Sequence, residues 1–128
     1  LEHPNGIVAL GLGKFLVAGW GPGMKSDFST DRPGRILEVD LAGKRVSPWN
    51  AATLGNLDGI ELDGKGGVLV SDWMAGKVFH INADGRCMTL LEGMKGSADI
   101  AYLAASRTLV VPLMGEDRVV AYRIPGRN

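Results

Sequence analysis

A four-strand pattern in residues 57–92 recurs along the chain, and this repeat restricts the fold more than any other feature. Runs rich in Val, Ile, Leu and Phe alternate there with turn residues such as Ala75-Gly76 and Asp84-Gly85. The runs are about five or six residues long, which is usual for β-strands. No segment shows a sustained apolar period of 3.6 residues, so we expect essentially no helix.

Two further copies of the pattern flank this segment, one before it with an insertion and one after it cut short. The matched runs are 5–10, 58–63 and 98–103 for the first strand, 15–20, 68–73 and 108–113 for the second, 35–40, 77–82 and 118–123 for the third, and 45–49 and 86–91 for the fourth. The third copy leaves no room for a fourth strand.

Antiparallel four-stranded units that repeat about every 40 residues are typical of β-propeller blades. We therefore predict an all-β domain of three blades, at about 1–54, 55–95 and 96–128, with the last blade incomplete. A β-sandwich would also give short strands, but it would not give three copies with matched residues at matched places.

Charge and hydropathy exclude several classes of function. Acidic and basic residues balance at 14 each, so there is no basic field to attract nucleic acid or an anionic membrane. The apolar runs are too short to span a bilayer. The N-terminus lacks a basic segment followed by an apolar one, so we expect no signal peptide, although the chain begins with Leu1 rather than Met. A soluble protein is expected, in the cytoplasm or, if the chain is trimmed, in the periplasm or outside the cell.

The single cysteine and His80 carry little obvious chemistry. Cys87 is alone, which excludes an internal disulfide and a cysteine-based zinc site. It lies in a strand-like run without a nearby His, so we expect a buried or half-buried inert thiol. His80 lies in a third strand, where a structural role is expected. The chain has no Gly-x-Ser-x-Gly elbow and no phosphate-binding loop.

The segments PNGI at 4–7, LDGI at 57–60 and GVLVSD at 67–72 resemble the gluconolactonase, regucalcin (senescence-marker protein) and related lactonase propellers, and NHL-type repeats generally. The resemblance implies a six-bladed propeller more than twice as long as this chain. In metal-dependent members these strand starts hold ligands of the central cation, which implies Asn5 and Asp58 as metal ligands here. The family's other ligands, a Glu and a further Asn, come from blades that are not in this sequence.

Three blades cannot close a ring, and each outer blade would expose an apolar packing face. A homodimer related by a two-fold axis would complete six blades. Alternatively, the chain is a fragment of a longer protein.

First strands of a propeller begin near its axis, so Asn5, Asp58 and Asp99 are expected to converge on one face. Two chains would then ring the axis with two copies of Asn5 and Asp58. Such oxygen ligands suit a hard cation, Ca²⁺ first, with Mg²⁺ or Mn²⁺ as alternatives. Asn-Gly and Asp-Gly also form turns, so a turn-forming role stays open for Asn5 and Asp58.

Other residues are candidates for the same face. His3 is a candidate general base or extra ligand, or else a disordered terminal residue. Trp20 and Trp73 stand at matched positions, with Leu113 as their counterpart in the third copy, and they serve either as pocket walls or as packing between blades. Asp72 is a candidate supporting residue of the pocket. The insertion at 21–34 belongs either to the binding face or to a tolerated surface excursion.

These residues favour a metal-dependent hydrolase of lactones or activated esters, with phosphotriesters as further substrates. Asp58, His3 and Asp99 are its candidate catalytic residues, and a small molecule is the expected partner. Two other hypotheses stay open, a non-catalytic propeller that binds partners and a half-propeller without activity, because the fold does not decide between them.

Overall fold

The structure, a computed structural model, describes residues 1–125. Blades 1 and 2 are four-stranded antiparallel sheets whose strands follow one another in chain order. Blade 1 consists of β1 (Pro4–Gly11), β2 (Lys14–Gly19), β3 (Ile36–Asp40) and β4 (Arg45–Pro48). Blade 2 consists of β5 (Leu57–Leu62), β6 (Val68–Asp72), β7 (Lys77–Ile81) and β8 (Cys87–Leu91).

Blade 3 is a three-stranded sheet of β9 (Ala101–Leu103), β10 (Thr108–Leu113) and β11 (Arg118–Arg123). In the described part of the chain, the helical structure is one short 3₁₀ turn, Met114–Glu116. The predicted all-β fold with three propeller blades and an incomplete third blade is confirmed. No helix within residues 1–125 is long and apolar enough to cross a membrane.

Strand pairing shows that the predicted alignment of the second strand in blade 3 was wrong by one residue. Leu62 pairs with Val68 in blade 2, whereas Tyr102 pairs with Leu109 in blade 3. The hairpin between β9 and β10 is therefore one residue longer. Leu113, which pairs with Arg118, takes the place of Asp72 and not that of the tryptophans.

Two apolar cores hold the blades together. The first lies between blades 1 and 2 and is formed by Leu16, Ala18, Ile36, Leu57, Ile60, Val68, Val70, Phe79 and Ile81. The second lies between blades 2 and 3 and is formed by Leu69, Val78, Ile100, Leu109, Val111 and Leu113. Alternate residues of each strand point to opposite faces, so blade 2 packs against both neighbours. Blades 1 and 3 each keep one face without a neighbouring blade.

Cys87 differs from its predicted burial. It is exposed, because β8 is the outermost strand of blade 2 and has a sheet partner on one side only. Partial desolvation raises the pKa of its thiol, which keeps the thiol protonated and weakly nucleophilic, in agreement with the inert role expected for it.

Candidate functional site

The first strands of blades 1 and 2 carry the same irregularity at the same place. In β1 the pairing with β2 shifts between Pro4 and Ile7, and in β5 the pairing with β6 shifts between Leu57 and Ile60. Bulges of this kind redirect side chains next to functional sites. The residues within the two shifts are Asn5-Gly6 and Asp58-Gly59, so both candidate ligands sit on equivalent bulges.

Glycine at these bulges lets the innermost strands of neighbouring blades approach closely. A side chain at Gly6 would collide with the carbonyl oxygen of Asp58. A Cβ at Gly59 would lie 2.5 Å from the backbone nitrogen of Ile100 and 2.7 Å from the Cα of Asp99. The absence of a side chain therefore brings Asn5, Asp58 and Asp99 together from three blades, as the sequence predicts.

A buried serine that the sequence pattern did not indicate links β5 to the segment before β9. The Ser71 hydroxyl accepts a hydrogen bond from the Gly59 amide at 2.9 Å and donates one to the Ala98 carbonyl at 2.6 Å. Ser71 is fully buried. It therefore fixes the residues next to Asp58 and Asp99. The one available signal was a hydroxyl at the end of the buried apolar run Val68–Val70.

The converging carboxyl groups perturb one another. Burial raises the pKa of Asp58, the negative charge of Asp99 raises it further, and a hydrogen bond from the Asn5 side chain opposes the rise. Burial also raises the pKa of Glu61, with a further contribution from Asp99. Glu61 is an addition to the predicted set. The axial cluster, defined as Asn5, Asp58, Glu61 and Asp99, thus concentrates negative charge in a partly desolvated place.

The axial cluster fits a hard cation in the type of its donors. Carboxylate and amide oxygens suit Ca²⁺, Mg²⁺ or Mn²⁺. The number of donors falls short within one chain. Among residues 1–125, no three His, Cys, Asp or Glu side chains are grouped closely enough to hold a metal ion. The described residues of one chain therefore do not form a coordination sphere by themselves.

His3 immediately precedes β1 and is exposed. Its carbonyl accepts a hydrogen bond from the Trp20 amide at 3.0 Å, and the Glu2 carbonyl accepts one from the Gly21 amide at 3.0 Å. These bonds hold the backbone of His3 in place. His3 is therefore ordered, unlike the disordered terminal residue that was one of the two expectations. The catalytic role of its side chain stays a prediction.

Trp20 and Trp73 contact each other across the junction of blades 1 and 2, with ring centroids 6.0 Å apart and a tilt of 42°. Trp20 is buried, and its indole nitrogen donates to the Phe28 carbonyl at 2.7 Å. The position of Trp20 therefore favours packing over a pocket wall. Trp73 is half-buried, so more of its surface is accessible to a ligand.

The insertion at 21–34 folds back over this end of the propeller. The Asn56 side chain donates to the Trp20 carbonyl at 2.8 Å and to the Thr30 hydroxyl at 2.9 Å. Arg32 forms a 3.4 Å ion pair with Glu2. The insertion is thus fastened to the face that carries Trp20, the face where the candidate residues were expected.

Asp72 is almost fully buried and caps the turn between β6 and β7. Its carboxylate accepts a hydrogen bond from the Ala75 amide at 3.1 Å. A side chain at Gly55 would collide with this carboxylate. The backbone at Gly55 therefore covers one side of the Asp72 carboxylate. Burial raises the pKa of Asp72 although backbone hydrogen bonds oppose the rise. These contacts place Asp72 in support of the turn before Trp73; contact with a substrate stays a prediction.

The other end of blades 2 and 3 contains a groove of about 1210 Å³ that includes Asp63, His80 and Tyr102 among its lining residues. His80 and Asp63 form a 2.9 Å hydrogen bond. The Asp63 carboxylate also accepts from the amides of Lys65 and Gly67 at 2.6 and 2.9 Å. This pair joins β7 to the hairpin between β5 and β6, which agrees with the structural role expected for His80.

Comparison with known proteins shows the fold and not a family. No protein-family model and no curated protein matches the sequence. A solved structure of a nidogen/laminin complex is similar to this chain with a TM-score of 0.71 and 17% identity, covering 94% of this chain and 43% of that chain. A catalytically inactive virginiamycin B lyase from Staphylococcus aureus with quinupristin has a TM-score of 0.63 and 14% identity, covering 98% of this chain and 42% of that chain. A streptogramin B lyase structure is similar with a TM-score of 0.63 and 13% identity, covering 98% of this chain and 42% of that chain.

The chain thus spans less than half the length of these neighbours. Some of the neighbours are enzymes, and one is part of a complex between proteins. At these levels of identity the likeness extends to architecture only, so the predicted relationship to the lactonase propellers stays a prediction. The chain is a three-bladed segment with the β-propeller fold.

Proposed function

We propose that the axial cluster binds a hard divalent cation, Ca²⁺ first, and that the completed propeller uses it to hydrolyse lactones or other activated esters. The observation that carries the proposal is the convergence of Asn5, Asp58 and Asp99 from three blades. Like charges placed together in a partly desolvated site destabilise each other. A bound cation would offset this repulsion, and that offset would favour binding.

The residues of this chain have distinct tasks in the proposal. Asn5 and Asp58 are the proposed ligands, each held by an equivalent bulge, and Asp99 is the nearby charge that raises the pKa of Asp58. His3 and Asp99 are the candidate proton acceptors for water. A divalent ion, when bound, polarises a carbonyl or phosphoryl oxygen and lowers the pKa of bound water. That chemistry would also serve phosphotriesters.

A hydrolysis assay tests the catalytic part. The chain is incubated with a panel of lactones, aryl esters and an aryl phosphotriester, first with Ca²⁺ and then with EDTA. We expect turnover that EDTA abolishes, that added Ca²⁺ restores, and that Asp58→Ala loses. Asp84→Ala, a change to an exposed carboxylate in the turn between β7 and β8, is the control and should keep full activity. Turnover that persists in EDTA or in Asp58→Ala would overturn the mechanism.

A non-catalytic binding module is the second candidate. The similar structure with a TM-score of 0.71 comes from a complex between two proteins, and one chain groups no three metal-binding carboxyl or imidazole side chains within its described residues. In this case the insertion at 21–34 and Trp73 would form part of the binding face. No hydrolysis of any substrate in the panel, together with unchanged folding, would favour this candidate.

A further inference from the structure

The His80 imidazole is held in one orientation at the groove between blades 2 and 3. Its Nε2 lies 2.9 Å from Oδ2 of Asp63, whose side chain is only 8% exposed. Oδ1 of the same carboxylate accepts hydrogen bonds from the amides of Lys65 and Gly67. Burial acts to raise the pKa of Asp63, but these hydrogen bonds lower it, so the carboxylate is charged and only accepts. Nε2 therefore carries a hydrogen, and in the neutral ring Nδ1 keeps its lone pair.

The second ring nitrogen of His80, Nδ1, is accessible to a ligand. No hydrogen bond among residues 1–125 engages it. Within those residues, Nε of Arg35 is the only buried side-chain nitrogen or oxygen without a partner, so Nδ1 reaches solvent. The His80 side chain is 21% exposed and lines the groove. The imidazole is thus oriented in advance for one further hydrogen bond.

The equivalent junction between blades 1 and 2 is built without such a pair. By strand pairing, Glu38 occupies the place of His80 in blade 1. Leu10 occupies the place of Asp63, since each lies three positions after the isoleucine that follows the bulge. Blades of this chain therefore pack together without a carboxylate and an imidazole at this place. The pair is a property of the groove and not a requirement of the repeat.

The cations at the groove have no charged partner. The charged residues that line it, besides His80, are Lys65, Arg107, Arg123, Asp63 and Asp84. Asp63 is engaged as described, and Asp84 accepts a hydrogen bond from the Arg86 amide at 3.0 Å. Among residues 1–125, neither Lys65 nor Arg107 forms an ion pair. These two cations lie on the hairpins that border the groove, one before β6 and the other before β10.

We propose that this groove binds a small molecule that carries both a hydroxyl and an anionic group, as hydroxycarboxylic acids and sugar phosphates do. The ligand hydroxyl donates a hydrogen bond to Nδ1 of His80, and Lys65 and Arg107 pair with the anionic group. Tyr102, which also lines the groove, offers ring surface to the carbon skeleton. The groove lies at the other end of the blades from the axial cluster, so this site is independent of cation binding and of hydrolysis.

Titrations followed by the imidazole nitrogen resonances of the chain, freed of divalent ions, test the site. The chain has two histidines, so His3 is the internal reference for His80. Malate is compared with succinate, which lacks the hydroxyl, and glucose 6-phosphate with glucose, which lacks the anionic group. We expect malate, glucose 6-phosphate or both to shift Nδ1 of His80 saturably, and succinate and glucose to bind about tenfold more weakly or worse. The anion that binds identifies the group as carboxylate or phosphate. No saturable shift with either anion, or an affinity unchanged by removal of the hydroxyl or of the anionic group, would overturn the proposal.

Three variants test the role of the cations. Lys65→Gln and Arg107→Gln change exposed side chains, so both chains should fold, as checked by circular dichroism, and each should bind the anion about tenfold more weakly. Lys44→Gln is the control, since Lys44 is an exposed cation in the turn between β3 and β4 of blade 1, and its affinity should equal that of the wild type. Affinities of Lys65→Gln and Arg107→Gln equal to that of the control would contradict the proposed site.

Discussion

Asp58 and Asp99 belong to neighbouring blades, yet the charge of Asp99 acts on the pKa of Asp58. The two residues come together because Gly59 has no side chain to separate β5 from the segment before β9. Such an arrangement opposes stability in the absence of a partner charge.

Asp58→Asn should stabilise the chain at neutral pH in the absence of divalent ions. Burial and the Asp99 charge raise the folded-state pKa of Asp58 above its ordinary value of 3.8, so the folded state binds the proton more tightly than the unfolded chain. With respect to this group, the wild-type chain is therefore most stable below pH 3.8. Its stability falls as the pH rises through the folded-state pKa of Asp58, and it stays reduced at higher pH. The Asp58→Asn variant carries no charge at this position, so its stability does not fall in this way as the pH rises.

Urea unfolding of wild type and Asp58→Asn across this pH range measures the effect. The gap between the two free energies of unfolding should widen as the pH rises through the folded pKa and then become constant. Asp84→Asn, at an exposed carboxylate, should show no such trend. A gap independent of pH would mean that Asp58 has an ordinary pKa in the folded chain.

Ser71→Ala should destabilise the chain by about 1–3 kcal/mol, because it leaves the Gly59 amide and the Ala98 carbonyl without their buried hydrogen-bond partner. Ser106→Ala, a change to an exposed serine, should have little effect. Urea denaturation compares the two variants. Equal stabilities for Ser71→Ala and the wild type would show that the hydroxyl does not hold these strands.

Gly59→Ala should destabilise by more than about 1 kcal/mol. The added Cβ would meet the backbone of Asp99 and Ile100, which cannot move without separating blades 2 and 3. Gly115→Ala is the matched control, since a Cβ there meets nothing within 4 Å. The comparison is made by thermal unfolding, and a Gly59→Ala variant as stable as Gly115→Ala would argue against the close approach of these strands.

Asp63→Asn should reduce stability at neutral pH and lose its effect in acid. Burial acts to raise the pKa of Asp63, but hydrogen bonds from His80 and from two backbone amides outweigh it and hold the pKa below 3.8. The stability that this carboxylate contributes is therefore present above 3.8 and is lost as the pH falls through its lower folded-state pKa. Unfolding of both proteins, followed from neutral pH into acid, should show their midpoints converge. Parallel curves would contradict the low pKa.

The repeats and the positions of the axial residues could be predicted from sequence because both depend on local patterns. The apolar strands and their Asn-Gly or Asp-Gly starts are each formed by residues that are consecutive in the sequence. The register of β10 could not be predicted from sequence. Val110, Val111 and Pro112 are apolar in succession, so no alternation of apolar and polar residues indicates which side chains face inward. The extra residue in the hairpin before β10 becomes visible only when Tyr102 is seen to pair with Leu109.

The parts of the site that escaped prediction depend on contacts between blades. Ser71 acts through bonds to Gly59 and Ala98, which lie 12 and 27 positions away. Glu61 matters because Asp99 is close to it in space. Asp72 is predicted as a supporting residue of the pocket, and its carboxylate accepts a hydrogen bond from the backbone of its own turn, an ordinary role for an Asp at the end of a strand.

Calcium binding tests the central claim most directly. The chain, freed of divalent ions, is titrated with CaCl₂ in a calorimeter beside Asp58→Asn and Asp84→Asn. We predict that wild type and Asp84→Asn bind Ca²⁺ with a dissociation constant of about 1 mM or tighter, and that Asp58→Asn does not bind. Absence of binding by the wild-type chain, or equal binding by Asp58→Asn, would contradict an axial cation site.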